Sequence, residues 1–401
     1  MRAYRDLFRV RYARPLLAAS LIGRYPQGMV TLSVTLAVLH AGNSVAAAGA
    51  VSAAYVGGCA ITGPLLGRAL DRRDRRSILL VSGSVNALCF LLFAWLVTEP
   101  APVAVGAALL TGATQPPMVS ALRSAWSALL PTSMVPVALS LEASLQELIF
   151  ISGPVLVVAV SAWAEPQLTL VLCGAFALCG SVGSGLIRVT IVSYTVVARS
   201  GLITRSWFVR VLLSAAAVDA SMTSASLAIV ARLHAVVGSG APAPGIALAV
   251  WAAGSFVGGV ASGLAPRLMR RRLWMFPAVA LLQFPALIAV STSWWLLAVL
   301  VLGGSTIAPI FSRLYATVII GIPRTQSGEA FGWLTTAFLL GGGFGSVGAG
   351  WLISESGYRT GLMLAGALMA VATLIAVPSF GDGDARWRPA VRRYRPRGAR
   401  C

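Results

Sequence analysis

The chain has no lysine, and its 31 basic residues are all arginine, set against only 12 acidic ones. Arginine stays charged throughout the physiological range, so the formal net charge of +19 does not titrate away. Histidine is almost missing: His40 and His234, at the outer ends of two apolar stretches, are the only two. With no nucleophile beside a base and no carboxylate pair visible, an enzyme is not expected. Four of the five cysteines (Cys59, Cys89, Cys173 and Cys179) lie inside apolar stretches and Cys401 ends the chain, which excludes a disulfide or metal framework. No glycine loop ends in lysine, so nucleotide hydrolysis does not drive the protein directly, and no cofactor is expected. Charge of any sign is scarce. Charged residues make up 11% of the chain against about 25% in a soluble domain, while 57% are hydrophobic and the mean hydropathy is +0.83. Lipid is the solvent that suits such a chain.

Twelve apolar stretches are long enough to cross a bilayer, near 16–39, 45–68, 77–97, 103–126, 136–162, 167–190, 207–233, 245–268, 273–291, 294–318, 329–353 and 358–378. The charged start "MRAYRDLFRVRYARPLLAASL" lacks a short apolar core ending in a cleavage site, so the first stretch is expected to stay. Arginines gather in alternate connections: five in the N-terminal segment, five in "GRALDRRDRR" at 67–76, four at 188–210, four in "PRLMRRR" at 266–272 and seven after Gly381. The opposite loops hold only Arg232 and Arg359. By the positive-inside rule both termini face the cytoplasm of a cell membrane, and the basic segments meet lipid headgroups in preference to nucleic acid.

The middle connection divides the chain into halves that echo each other. Leu39-His40-Ala41 returns as Leu233-His234-Ala235, and Val56-Gly57-Gly58 as Val257-Gly258-Gly259. Gly112-x-Thr114-x-x-Pro117-x-x-Ser120 returns as Gly304-x-Thr306-x-x-Pro309-x-x-Ser312, and Gly153 as Gly345. The expectation is an all-α membrane protein of two parallel-repeat six-helix bundles: 1–190, a linker at 191–206, 207–380, and a basic tail at 381–401.

Gly67-x-x-x-Asp71-Arg72-x-x-Arg75-Arg76, placed between the second and third spans, resembles the signature loop of the major facilitator superfamily; Asp74 stands where that family usually has glycine. The resemblance covers essentially the whole chain and implies a bacterial twelve-helix transporter, monomeric, whose Gly67, Asp71, Arg72, Arg75 and Arg76 form a conformational latch. In it Asp71 faces the N-terminus of helix 11, and the arginines grip acidic or carbonyl groups.

Ionisable residues at membrane depth are functional candidates. Counting 1.5 Å per residue puts Arg24 and Glu147 at similar depth, about 15 Å, so an ion pair between them is expected. Asp219, near the midplane with only Ser214, Ser221 and Thr223 as nearby partners, is the candidate for proton binding. Gln27 and Gln115 join Arg24, Glu147 and Asp219 as candidate cavity residues. "TQPPM" at 114–118 and "APIF" at 308–311 read as matched kinks. Arg123 and Arg313 near helix ends read as snorkelling. Ser152-Gly153-Pro154 matches part of a motif of the superfamily's drug-proton antiporters and favours export. The function expected is therefore proton-coupled efflux of a small molecule by alternating access, with import by the same fold, or a receptor without flux, as alternatives.

Overall fold

A computed structural model describes residues 2–131, 134–187, 201–237, 243–264, 275–289, 293–323 and 326–381. The "PRLMRRR" segment, most of the 191–206 linker and the tail beyond Gly381 lie outside the described residues. The first half contains α1 (Arg2–Arg9), α2 (Ala13–Arg24), α3 (Pro26–His40), α4 (Val45–Arg72), α5 (Arg75–Leu96), α6 (Ala101–Ala113), α7 (Met118–Leu129), α8 (Val135–Ser161) and α9 (Gln167–Leu186). The second contains α10 (Ser206–Val237), α11 (Ala243–Leu264), α12 (Met275–Ala289), α13 (Ser293–Gly304), α14 (Ile307–Gly321), α15 (Ser327–Ser356) and α16 (Tyr358–Gly381). There is no strand among the described residues.

Each of the twelve expected stretches contains helix among the described residues. Nine segments among them are individually long and apolar enough to cross a membrane, α13–α14 counting as one. The other three expected spans are α2–α3, α6–α7 and the short α12. Two of these are broken for a visible reason: Pro26 starts α3, and Pro116-Pro117 interrupt the α6–α7 span, since proline supplies no N–H to the helix ladder. The matched break in the second half falls at Ser305-Thr306, three residues ahead of Pro309, which sits in the first turn of α14 where its missing N–H is harmless.

The repeat is legible in the packing. A Cβ on Gly112 would stand 2.0 Å from the Tyr55 carbonyl, and one on Gly304 would stand 2.2 Å from the Trp251 carbonyl. Gly153 meets Gly28 and Gly345 meets Ala220 at the same offset of 192. One echo shifts register: the counterpart of Gly58, which packs on the Leu109 carbonyl, is Gly254 on Val301, while Gly259 packs against Ser144 of the other half.

The halves meet chiefly along two seams, α4 with α15 and α8 with α11. Gly63 and Gly332 touch backbone to backbone, and Thr336 Oγ1 donates to the Ala60 carbonyl at 2.7 Å. Gly63 and Gly332 also lie on the wall of a cavity, which Val56 and Leu339 line farther from the 67–76 loop. The other seam carries Ser262–Ser140 at 3.0 Å and, farther along, Ser255 Oγ donating to Glu147 Oε1 at 2.9 Å. α1 crosses this seam; Tyr4 donates to the Val260 carbonyl at 2.9 Å, and burial pushes its phenol up to about 12.

Candidate functional site

Two sites lie on this frame. The first closes the α4–α15 seam. Asp71, at the end of α4, accepts from the backbone N–H of Gly328 at 2.7 Å and of Glu329 at 2.8 Å, at the unsatisfied N-terminus of α15. Such closeness requires glycine on both sides, because a Cβ on Gly67 would lie 2.2 Å from the Gly328 carbonyl and one on Gly328 2.4 Å from that of Gly67. Arg68, one helical turn before Asp71, donates to Glu329 at 2.7 Å.

The second site is a cavity of about 330 Å3 lined from both halves, with Arg24, Gln27, Gln115, Glu147 and Asp219 all on its wall. The expected Arg24–Glu147 pair does not form. Arg24 Nη1 contacts Glu142 Oε1 at 3.0 Å, and Arg123 reaches the same oxygen through Nε and Nη2, each at 3.0 Å. Glu147 turns to Ser255 on the opposite half. Nor does Arg123 snorkel: it is buried, with its guanidinium 3.4 Å from the Tyr315 ring centre. Gln115 accepts from the Tyr55 hydroxyl at 2.9 Å, and Gln27 accepts from Gln146 at 3.3 Å. Two of the partners expected for Asp219 turn elsewhere, since Ser214 and Ser221 donate to the carbonyls of Ala372 and Ala365 in α16. Room for its carboxylate comes from Gly342, where a Cβ would stand 2.6 Å from Oδ2. No group of metal-ligating side chains occurs among the described residues.

The model of the Major Facilitator Superfamily matches residues 16–199. The fold matches a bacterial homologue of the iron transporter ferroportin in its outward-facing state, with a TM-score of 0.73 at 14% identity over 92% of this chain and 99% of that one. It also matches the E. coli fucose:proton symporter FucP (0.69, 14%, 92% and 98%) and the proton:xylose symporter XylE (0.68, 14%, 91% and 94%). The chain is thus similar to that superfamily over residues 16–199, and it shares its fold with these transporters over more than nine-tenths of its length. No functionally curated protein matches the sequence.

Within the loop that resembles the superfamily's signature the residues divide their work. Asp74, the departure from glycine, caps α5: its carboxylate accepts from the Ser77 N–H and hydroxyl, both at 2.9 Å, which holds its pKa below the usual carboxylate range. Arg75 is buried and donates to the Ser184 carbonyl at 2.7 Å at the end of α9, so it braces its own half. Arg72 and Arg76 are exposed. The expected cluster of five therefore comprises an inter-bundle pair, Gly67 and Asp71, an internal brace, Arg75, and two solvent-facing arginines. Arg68, Arg123 and Glu142 were missed by sequence reasoning. The signal that could have found Arg68 is its spacing of three from Asp71, which places both on one helix face.

Proposed function

We propose that the protein is a proton-coupled secondary transporter that moves a small molecule across the cytoplasmic membrane by alternating access, with both termini and the 67–76 loop in the cytoplasm. The observation that carries the reading is a cavity lined from both halves, holding Asp219 from one half and Glu147 from the other, beyond a seam closed by Asp71 on the α15 N-terminus. Closing one face while the cavity forms beyond it is half of an alternating-access cycle. Two carboxyls on that wall, one of them without a hydrogen-bond partner among the described residues, supply sites at which a proton changes the charge the substrate meets. Two of the structures sharing the fold are named as proton symporters, which agrees with this coupling.

The run that favoured export, Ser152-Gly153-Pro154, is accounted for by packing: Gly153 fits against Gly28 as Gly345 fits against Ala220. It therefore carries no direction. Proteoliposomes with a pH-sensitive dye inside test the function and read the direction together. Substrate added to one side should move protons in the wild type, and Asp219→Asn should remove the proton movement while leaving a folded protein. Binding without flux would make the protein a receptor; coupling unchanged in Asp219→Asn would take Asp219 out of the mechanism.

A further inference from the structure

Resting on that reading, we infer that the cavity takes an organic monoanion with an apolar body, its anionic group held by Arg24 and Arg123, and that protons bind with it. The argument is one of charge and position. Arg24 and Arg123 are permanently cationic, are 3% and 2% exposed, and share a single carboxylate oxygen of Glu142. The cluster therefore holds one surplus positive charge at membrane depth, where an uncompensated charge is costly.

Position decides where that surplus points. Both arginines line the cavity, whereas Glu142 is fully buried and not on the cavity wall. Its negative charge lies off the wall that the two arginines line. Arg24 Nε, itself buried, makes no hydrogen bond, so the cluster's donors are not all satisfied by Glu142. Tyr315 covers one face of Arg123 and Glu142 takes its Nε–Nη2 edge, so an incoming carboxylate or sulfonate would meet Arg123 in the guanidinium plane through Nη1. Phe150, Phe311 and Phe338 supply an apolar wall beside it.

The other ionisable groups on that wall set the pH dependence. Glu147 and Asp219 are carboxyls; Tyr55, Cys59 and Tyr315 are phenols and a thiol, groups ordinarily uncharged near neutrality. Counting Arg24, Arg123, Glu142, Glu147 and Asp219, the cavity carries a net −1 with both carboxyls ionised and +1 with both protonated. Proton uptake therefore turns an anion-excluding cavity into an anion-holding one, and by linkage the anion favours proton uptake.

The test uses the full chain in lipid nanodiscs and three probes of one shape: naphthalene-2-sulfonate, naphthalene-2-sulfonamide and (naphthalen-2-ylmethyl)trimethylammonium. The sulfonate stays ionised across the range, so any pH effect belongs to the protein. It should bind at least about tenfold more tightly than the other two, and tighten about tenfold between about pH 8 and about pH 5. Arg24→Gln, which leaves Glu142 paired with Arg123, should weaken it about tenfold, and Arg24→Lys by less. Asp219→Asn, which keeps both arginines, should bind the sulfonate more tightly than wild type near pH 8. Preferential binding of the ammonium, or sulfonate binding indifferent to both Arg24→Gln and Asp219→Asn, would overturn the inference. In proteoliposomes the sulfonate and protons should move in the same direction. Sulfonate binding without flux would sink the transport reading and leave the anion site standing; ammonium flux would do the reverse.

Discussion

Replacing Asp71 by asparagine removes a single charge from the seam between the halves. The carboxylate accepts two backbone hydrogen bonds of 2.7 and 2.8 Å at a helix N-terminus. Asparagine keeps one acceptor and turns its NH2 toward the other N–H, so one charge-assisted bond is lost, worth about 1.5–3 kcal/mol. Loss of the favourable helix-end interaction adds about 0.3–1 kcal/mol. The closed seam should therefore lose about 2–4 kcal/mol, a shift of roughly 30- to 900-fold in its population relative to the open one. Spin labels at Arg73→Cys, at the end of α4, and Arg205→Cys, just ahead of α10, both exposed, read this directly by double electron–electron resonance once the native cysteines are replaced. The unmodified latch should give a dominant short distance, and Asp71→Asn a second, longer one. An unchanged distribution in a folded variant would refute the idea that this carboxylate holds the halves together.

Gly67→Ala should leave the protein folded in the membrane but cut transport at least about tenfold, because the added Cβ would lie 2.2 Å from the Gly328 carbonyl; full transport would mean that the seam need not close this tightly. Glu142→Gln strips the counter-charge from two buried arginines and should destabilise the fold by about 3–5 kcal/mol, seen as a lower thermal midpoint. A midpoint equal to wild type would contradict the burial of that cluster. Asp74→Ala removes the α5 cap, at a cost of about 1 kcal/mol. Since hydrogen bonding depresses the Asp74 pKa in the folded state, its contribution is complete above about pH 4 and is lost as pH falls through the depressed value. Stability curves of the variant and wild type should thus converge in acid, and a gap that persists there would show that the cap does not act through its charge.

Span lengths and the arginine pattern made the helices and the two halves legible, because lipid forces both features onto the sequence. Rotation about each helix axis was not legible. Glu142 and Glu147 stand five positions apart, about 140° around α8, so counting depth could not tell which of them faces Arg24. Glu142 points to α2 and α7, and Glu147 to α11. The same blindness shifted one echo: Gly57-Gly58 and Gly258-Gly259 look alike as pairs, yet which glycine meets a neighbour depends on the helix phase, and the packing pairs Gly58 with Gly254. The place of Asp71 came from the resemblance of its loop to the superfamily's signature, and it carried over because the partner is backbone, the N-terminus of the next-to-last span, which needs no particular side chain.

The halves match where helices touch and differ where they line the cavity. Gly112 with Gly304 and Gly153 with Gly345 do the same steric work, since a backbone contact has one solution. At the same offset of 192, cavity-lining Gln27 corresponds to Asp219 and Arg123 to Tyr315. Charge is consequently lopsided: Arg24, Arg123 and Glu147 line the cavity from the first half, backed by Glu142, while Asp219 is the one carboxyl the second half gives to it among the described residues. Distances within a half change little when rigid bundles rock. The separation between Asp219 and the Arg24–Arg123 pair must change, and with it the electrostatic support for the ionised carboxylate. Under the proposed mechanism a proton held by Asp219 in one state would therefore be held differently in the other, and its position on the moving half, rather than burial alone, would be what couples proton binding to the rocking of the bundles.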